Sequence, residues 1–132
     1  MKTFDIFLSQ IGLTEFIALD LETSGLDSNK DRIIELSAYK FINGKPAESF
    51  SHLINPNIKI NKIITKITGI TNDMLVGQKT FEQIENDFKT FIGDFPVVGH
   101  NILFDLSFLN KNIKNYNSLF KNRSICDTFY LS

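Results

Sequence analysis

The order of apolar and polar positions predicts three strands in the first half of the chain. Glu15–Glu22 is a short, β-prone apolar run that ends in carboxylates, which is typical of a buried strand. The turn-rich segment 24–30 follows, and the apolar positions of Arg32–Ile42 predict a second strand. Asn43-Gly44 is a two-residue hairpin signal, so a third strand over about Ala47–Ile54 should pair antiparallel with the second.

The middle of the chain predicts helices. Isoleucines within Asn61–Leu75 indicate short helical turns that are interrupted at Gly69. Thr80 and Gln83 have the spacing of a capping box, which predicts the start of a longer helix. The side chains expected to form the stripe of that helix are Phe81, Ile84, Glu85, Phe88, Phe91 and Ile92.

Two short strands and another helix complete the predicted pattern. Pro96–Gly99 and Ser124–Asp127 are the strands, and Leu103–Asn112 is the helix between them. Thr128–Ser132 has the character of a helix that is just beginning. The core-facing positions expected in the middle helix are Leu103, Leu106, Phe108 and Leu109. Three strands, helices, strand, helix and strand together predict an α/β layered fold with a mixed five-stranded sheet.

Length and composition are those of one soluble globular domain. The chain has 132 residues, of which 42% are hydrophobic and 22% charged, and a single core commonly holds about 100–150 residues. Cys126 has no second cysteine to pair with, which suits a reducing compartment. Met1–Leu13 contains apolar residues, but Asp5, Ser9 and Gln10 interrupt it, so we do not expect a signal peptide. We therefore expect a cytoplasmic protein without a membrane span.

Charge is balanced overall but unevenly distributed. Fourteen basic and fifteen acidic residues give a net charge of −1. One basic run contains Lys59, Lys62, Lys66 and Lys79, with Asp73 as its one acid. A second run contains Lys111, Lys114, Lys121 and Arg123. Such patches can track a phosphate backbone, or they can be ordinary solvated faces. Charge alone leaves both interpretations open.

A pair of carboxylates at the end of the first strand is the first chemical signal. Asp20 and Glu22 lie two residues apart, so their side chains point to the same face of the strand. Two close carboxylates repel each other, and a divalent cation compensates for that repulsion. Oxygen ligands suit Mg²⁺ or Mn²⁺. The alternative is a strand end that carries two solvated acids.

The second signal is the strand–helix junction from Val97 to Asp105. An apolar strand leads through Gly99 into His100 and Asn101, and Asp105 falls in the first turn of the following helix. Asp105 could simply stabilise that helix through its dipole. If it instead converges on Asp20 and Glu22, three acids with no sulfur ligand point to hard-metal phosphoryl chemistry.

These segments resemble the DEDD superfamily of 3′→5′ exonucleases. Asp20-Leu-Glu22-Thr-Ser-Gly25 resembles the first family motif, and His100-Asn101-Ile-Leu-Phe104-Asp105 resembles the second. Three further segments are similar to the connecting regions of the family and occur in the same order: 31–36, 67–75 and 126–128. The resemblance covers Glu15 to Leu131, and it is to members such as the epsilon proofreading subunit of bacterial DNA polymerase III and exonuclease domains fused to polymerases and helicases.

The resemblance implies a ribonuclease H-like fold and removal of nucleotides with two Mg²⁺ or Mn²⁺ ions. It implies that Asp20 bridges both ions, that Glu22 holds the first, and that Asp105 serves the second, directly or through water. The residues expected to line the pocket of the terminal nucleotide are Thr23, Gly25, Ile67, Thr68 and Phe104. The implied partners are 3′ ends of single-stranded DNA and a DNA polymerase or helicase.

The sequence departs from the family at its third motif, a His followed by an Asp. No histidine follows Asp105, and Asp127 is the one later carboxylate. We expect Asp127 to cap the next helix rather than to bind metal, and we assign the general base neither to His52 nor to His100. Residues 1–132 are therefore interpreted as one exonuclease domain that lacks its C-terminal helices. We expect it to be inactive or nearly so alone, and to self-associate or to be marginally stable.

Three alternatives remain open on the sequence. The domain could be a catalytically degenerate module that binds single-stranded ends or a protein partner. It could be an exoribonuclease, because the preference for DNA rests on analogy. A flavodoxin-like ligand binder is the most distant option, since no glycine-rich phosphate loop follows the first strand.

Overall fold

The computed structural model describes the backbone of residues 14–131 and the side chains up to Phe129. The expectations for Met1–Leu13 and for Ser132 lie outside the described residues. None of the helices in the described part of the chain has the length and apolar character needed to span a bilayer.

Five strands form one mixed sheet in the order β3-β2-β1-β4-β5. The strands are β1 Glu15–Thr23, β2 Ile33–Ile42, β3 Lys45–Leu53, β4 Val97–Gly99 and β5 Ile125–Asp127. Antiparallel pairing joins β1 to β2 and β2 to β3, and parallel pairing joins β1 to β4 and β4 to β5. Asn43 (φ 53°) and Gly44 (φ 75°) are both left-handed, as a two-residue turn that matches the strand twist requires.

Five α-helices and a 3₁₀ turn accompany the sheet in residues 14–131. They are α1 Lys62–Thr68, α2 Asn72–Leu75, α3 Phe81–Ile92, α4 Ile102–Asn112, α5 Tyr116–Phe120 and the 3₁₀ turn Thr128–Leu131. The capping box is confirmed, since the Thr80 backbone N–H donates to Gln83 Oε1 at 2.9 Å and the Thr80 hydroxyl accepts from the Gln83 N–H. Gly69 ends α1 in the left-handed region, at φ 79°.

The main core lies between the sheet and helices α3 and α4. Ile17, Leu19 and Leu21 alternate along β1 and contact Phe88 and Phe108, both fully buried. Burial of side chains of this size contributes about 2 kcal/mol each. The alternate positions of β1 face the other way, and at the carboxyl end of the strand these are Asp20 and Glu22.

The predicted fold class is confirmed, two local expectations are corrected, and one short helix is additional. Leu103 is 63% exposed, because the buried stripe of α4 runs through Ile102, Leu106 and Leu109 at i, i+4 and i+7, about 100° away around the helix. β3 begins at Lys45 and includes Pro46, which is tolerated because β3 is an edge strand. The short helix α5 was not predicted, because its segment carries several polar residues and no strong apolar period.

Candidate active site

The end of β1 presents two carboxylates on one face. Asp20 lies opposite Ser37 of β2 and Glu22 lies opposite Glu35, so both acids share the sheet face turned away from Leu21. Asp20 is exposed and Glu22 is half-buried. The spacing seen in the sequence therefore places both acids at the carboxyl end of the central strand, where ligands of open α/β sheets bind.

Asp105 reaches the same end of the sheet through the junction of β4 and α4. Gly99 packs so closely on β1 that an added Cβ would lie 2.9 Å from the Leu19 carbonyl oxygen. Asn101 then adopts a left-handed conformation (φ 57°) and α4 begins at Ile102. Asp105 in its first turn is only 4% exposed, and its buried Oδ2 has no hydrogen-bond partner.

The three carboxylates are electrostatically coupled. Burial, followed by the charge of Asp20, raises the pKa of Asp105 to about 7, with Glu22 adding to the rise and the Leu21 backbone N–H opposing it. Partial burial of its carboxyl group also raises the pKa of Asp20, against the opposing effects of His100 and the Leu21 N–H. Burial and then the charges of Asp20 and Glu35 raise the pKa of Glu22. Each acid therefore holds its proton more tightly than an isolated carboxyl group does.

This environment fits a cation electrostatically, although the side chains do not form a finished ligand set. Within residues 14–131, no group of three or more His, Cys, Asp or Glu side chains is arranged to hold a metal ion. The buried, unpartnered Oδ2 of Asp105 and the mutual repulsion of three acids are nevertheless what a divalent cation would relieve. Oxygen-only donors suit Mg²⁺ or Mn²⁺ rather than a softer metal.

Asp127 and His100 make hydrogen bonds next to the junction of β4 and α4. Asp127 Oδ1 accepts from the backbone N–H of Asn101 at 2.8 Å and from that of Phe129 at 2.9 Å. The expectation that Asp127 caps the next helix is confirmed, and the same oxygen also fixes the turn before α4. His100 Nδ1 lies 3.3 Å from the Thr128 hydroxyl.

A cavity of about 340 Å³ opens beside Glu22. All five residues expected around the terminal nucleotide line it: Thr23, Gly25, Ile67, Thr68 and Phe104. The two threonine hydroxyls already donate to backbone carbonyl oxygens, that of Thr23 to Gly25 and that of Thr68 to Ile64. These threonines therefore contribute shape and methyl surface to the wall.

Sequence reasoning missed four apolar residues of this cavity: Leu21, Leu26, Ile63 and Ile64. Leu26 and Ile63 line it and are 87% and 67% exposed. Ile63 lies four residues before Ile67, so the two share one strip of α1. That spacing was the available signal for Ile63, whereas Leu26 carries none because it lies in a turn.

Asp31 holds the loop that forms one edge of the cavity. Its carboxylate accepts from the Ser24 hydroxyl at 3.2 Å and from the Asp27 N–H at 3.0 Å. A Cβ at position 25 would collide with the same carboxylate. Glycine at position 25 therefore leaves room for the Asp31 carboxylate in this hydrogen-bonded position.

Comparison with known proteins agrees with this geometry. The family model described as Exonuclease (RNase T) matches residues 17–132. The DNA polymerase III subunit epsilon of Aquifex aeolicus is 44% identical over 112 residues, which cover 84% of this chain and 55% of that protein. The PolC-type DNA polymerase III of Halalkalibacterium halodurans is 39% identical over 118 residues, covering 89% of this chain and 8% of that protein.

Solved structures show the same fold. Exonuclease I in its apo form superposes with a TM-score of 0.75 at 17% identity, over 90% of this chain and 30% of that one. The metal-free complex of E. coli exonuclease I with single-stranded DNA gives a TM-score of 0.76 at 17% identity, over 89% of this chain and 29% of that one. The chain thus spans about half of the epsilon subunit and a smaller part of its other relatives. With most of its length matched by the family model, the chain belongs to the RNase T exonuclease family, within the DEDD superfamily of 3′→5′ exonucleases.

Proposed function

We propose that residues 1–132 are the part of a metal-dependent 3′→5′ exonuclease domain that carries three of its metal ligands and the pocket for the terminal nucleotide. The observation that carries the proposal is Asp105, a carboxyl group that is 4% exposed, has an oxygen without a partner, and is repelled by Asp20 and Glu22. A buried carboxyl in that setting is costly for the fold, and a bound divalent cation removes the cost.

Asp20, Glu22 and Asp105 are the residues that would hold two Mg²⁺ or Mn²⁺ ions, with Asp20 shared between them. When bound, such ions neutralise the charge that develops on a scissile phosphate. Asp20 is exposed and Glu22 is half-buried, so both side chains have room to turn toward a cation. Asp105 is fixed by the first turn of α4 and supplies the rigid member of the set.

The cavity beside Glu22 positions the terminal nucleotide in this proposal. Phe104, which is half-buried at the cavity, packs against a base or sugar, a contact that tolerates any sequence. Ile63 and Ile67 contribute an apolar wall of the same cavity and exclude water from the bound sugar. The substrate is DNA and the setting is replication or repair, next to a DNA polymerase or helicase. Similarity to the epsilon and PolC-type subunits of DNA polymerase III supports this choice over RNA.

Residues 106–132 do not supply the His and Asp of the family's third motif, because they contain no histidine and Asp127 is their one carboxylate. We infer that this chain alone hydrolyses DNA at or near background, because general-base catalysis contributes about 10²–10⁴-fold. An assay with Mn²⁺ and labelled single-stranded DNA measures this. Turnover above background that disappears in Asp20→Ala would contradict the inferred inactivity and would support the metal site.

Metal binding tests the proposal itself. Mn²⁺ should raise the melting temperature of the wild-type chain and should not raise that of Asp20→Asn. Asp87→Asn, which removes an exposed acid of α3 outside the site, is the matched control and should respond as the wild type does. Equal responses in all three proteins would reject the site.

The same absence of a later histidine favours a second candidate, a degenerate module that binds single-stranded ends or a protein partner without metal. That module would bind an oligonucleotide equally well in EDTA and in Mn²⁺. Binding that strengthens with Mn²⁺ and depends on Asp20 would exclude it.

A further inference from the structure

The lysines of α1 lie beside the apolar wall of the candidate cavity. Lys62 and Lys66 are four residues apart on α1, as are Ile63 and Ile67. Each pair therefore occupies one strip of the helix, and the strips are adjacent because consecutive residues differ by about 100°. The isoleucine strip is one edge of the helix face that lines the cavity. The lysine strip lies beyond that edge, on the exposed side of α1, and forms the outer rim.

These lysines are available for an outside ligand. Lys59, Lys62 and Lys66 are all exposed. The two ion pairs found among the described residues involve Lys40 and Lys89 instead. α1 has no acidic residue in its first turn, and Asp73 is the one acid in the basic run. The rim is therefore a local positive surface on a chain whose net charge is −1.

The basic run from Lys111 to Arg123 makes contacts away from the candidate cavity. The Arg123 guanidinium donates to the carbonyl oxygens of Gly93 and Phe95 at 2.5 and 2.6 Å, and so caps the end of α3. Lys111 and Lys114 border a separate polar cleft that also contains Glu82 and Glu85. Of the two basic runs, the first is thus the one that lies on an element lining the candidate cavity.

We propose that Lys62 and Lys66 bind the phosphates of the single strand that leads into the cavity, upstream of the terminal nucleotide. This inference rests on the proposed nuclease function and adds the path of the strand. The lysine strip supplies charge without reading sequence, and the neighbouring isoleucines contact the sugar and base of the last nucleotide. Lys59, which precedes α1, extends the same positive surface.

The test compares two double variants of equal charge change. Lys62→Gln/Lys66→Gln removes the proposed contacts, and Lys111→Gln/Lys121→Gln removes two exposed lysines of the other run. Fluorescence anisotropy in Ca²⁺ measures the affinity for an oligothymidylate of about ten nucleotides over about 50 to 200 mM salt. Competition with thymidine 5′-monophosphate measures the cavity alone, since a mononucleotide does not extend to the lysine strip.

The first variant should bind the oligonucleotide about tenfold more weakly than the wild type, and the magnitude of its salt slope should fall by about 1.4, the value for two single-strand phosphate contacts. Its affinity for the mononucleotide should be unchanged, and the second variant should match the wild type in both assays. Equal losses in the two variants, or an equal loss for the mononucleotide, would overturn the proposed path while leaving the nuclease site intact. Absence of any oligonucleotide binding by the wild type would overturn the proposed function as well.

Discussion

Replacing Asp105 with Asn should stabilise the metal-free fold, and the gain should depend on pH. Asp105 is 4% exposed and its pKa is raised from 3.8 to about 7, first by burial and then by Asp20. Between these values the unfolded chain releases the proton while the folded chain keeps it. The wild-type fold therefore loses stability as the pH rises from about 4 to about 7, and the loss is complete above pH 7.

The size of the effect follows from the shift. At about 1.4 kcal/mol per pKa unit, the rise corresponds to an upper limit of roughly 4 kcal/mol. Relaxation of the ionised carboxylate toward water reduces the expected gain to about 2 kcal/mol. Asn has nearly the same shape as the protonated acid and never ionises, so the two proteins should be equally stable near pH 4 and diverge above it.

Urea unfolding in EDTA, repeated from pH 4 to pH 8, measures the free energy of unfolding for both proteins. Asp87→Asn in α3 is the control for removal of an exposed acid and should follow the wild type throughout. An Asp105→Asn protein that is less stable than the wild type at pH 8, or a difference that does not change with pH, would refute the electrostatic reasoning.

Three further outcomes test individual contacts of the fold, one beside the site and two away from it. Gly25→Ala should lower the free energy of unfolding by about 1–3 kcal/mol, because the new Cβ collides with the Asp31 carboxylate. An unchanged midpoint in urea unfolding would contradict the close approach. Arg123→Gln should lower the free energy of unfolding by about 2 kcal/mol, because the guanidinium donates to several carbonyl groups at the end of α3. A melting temperature equal to that of the wild type would show that this cap does not stabilise the fold. The third outcome concerns Glu85. Burial raises the pKa of this carboxyl group, but hydrogen bonds from Lys89 and from the backbone N–H of Lys114 lower it further, so that the pKa lies below its ordinary value. Its contribution is therefore present above pH 4.5 and is lost on acidification. Glu85→Gln should therefore lower the free energy of unfolding by about 1–2 kcal/mol at pH 7, and the difference from the wild type should shrink as the pH falls below 4.5. A constant difference in pH-dependent thermal melts would be inconsistent with that.

The elements with short-range signals could be predicted from the sequence. The hairpin at Asn43-Gly44 and the cap at Thr80 depend on local backbone chemistry that neighbouring residues specify. The strand that carries Asp20 and Glu22 could be predicted because a short apolar run ends in two acids that are two residues apart. Five residues expected around the nucleotide pocket do line one cavity, because the family motifs fix their order along the chain.

The remaining features depend on tertiary contacts. Leu103 was expected in the core, but its neighbour Ile102 takes the buried place on α4 against the sheet, and Leu103 is left 63% exposed. The raised pKa of Asp105 requires burial and the proximity of Asp20, residues that are far apart in sequence. The role of Arg123 as a cap for α3 likewise joins segments about 30 residues apart, so its place in a basic run was uninformative.

The central claim is that Asp20, Glu22 and Asp105 share divalent cations. The most direct measurement is an anomalous difference map from crystals of the chain soaked in Mn²⁺. We expect a peak bound by these carboxylates, with the buried Oδ2 of Asp105 facing the ion directly or through one water. Mn²⁺ bound elsewhere, with Asp105 Oδ2 still unpartnered beside two ion-free acids, would contradict it.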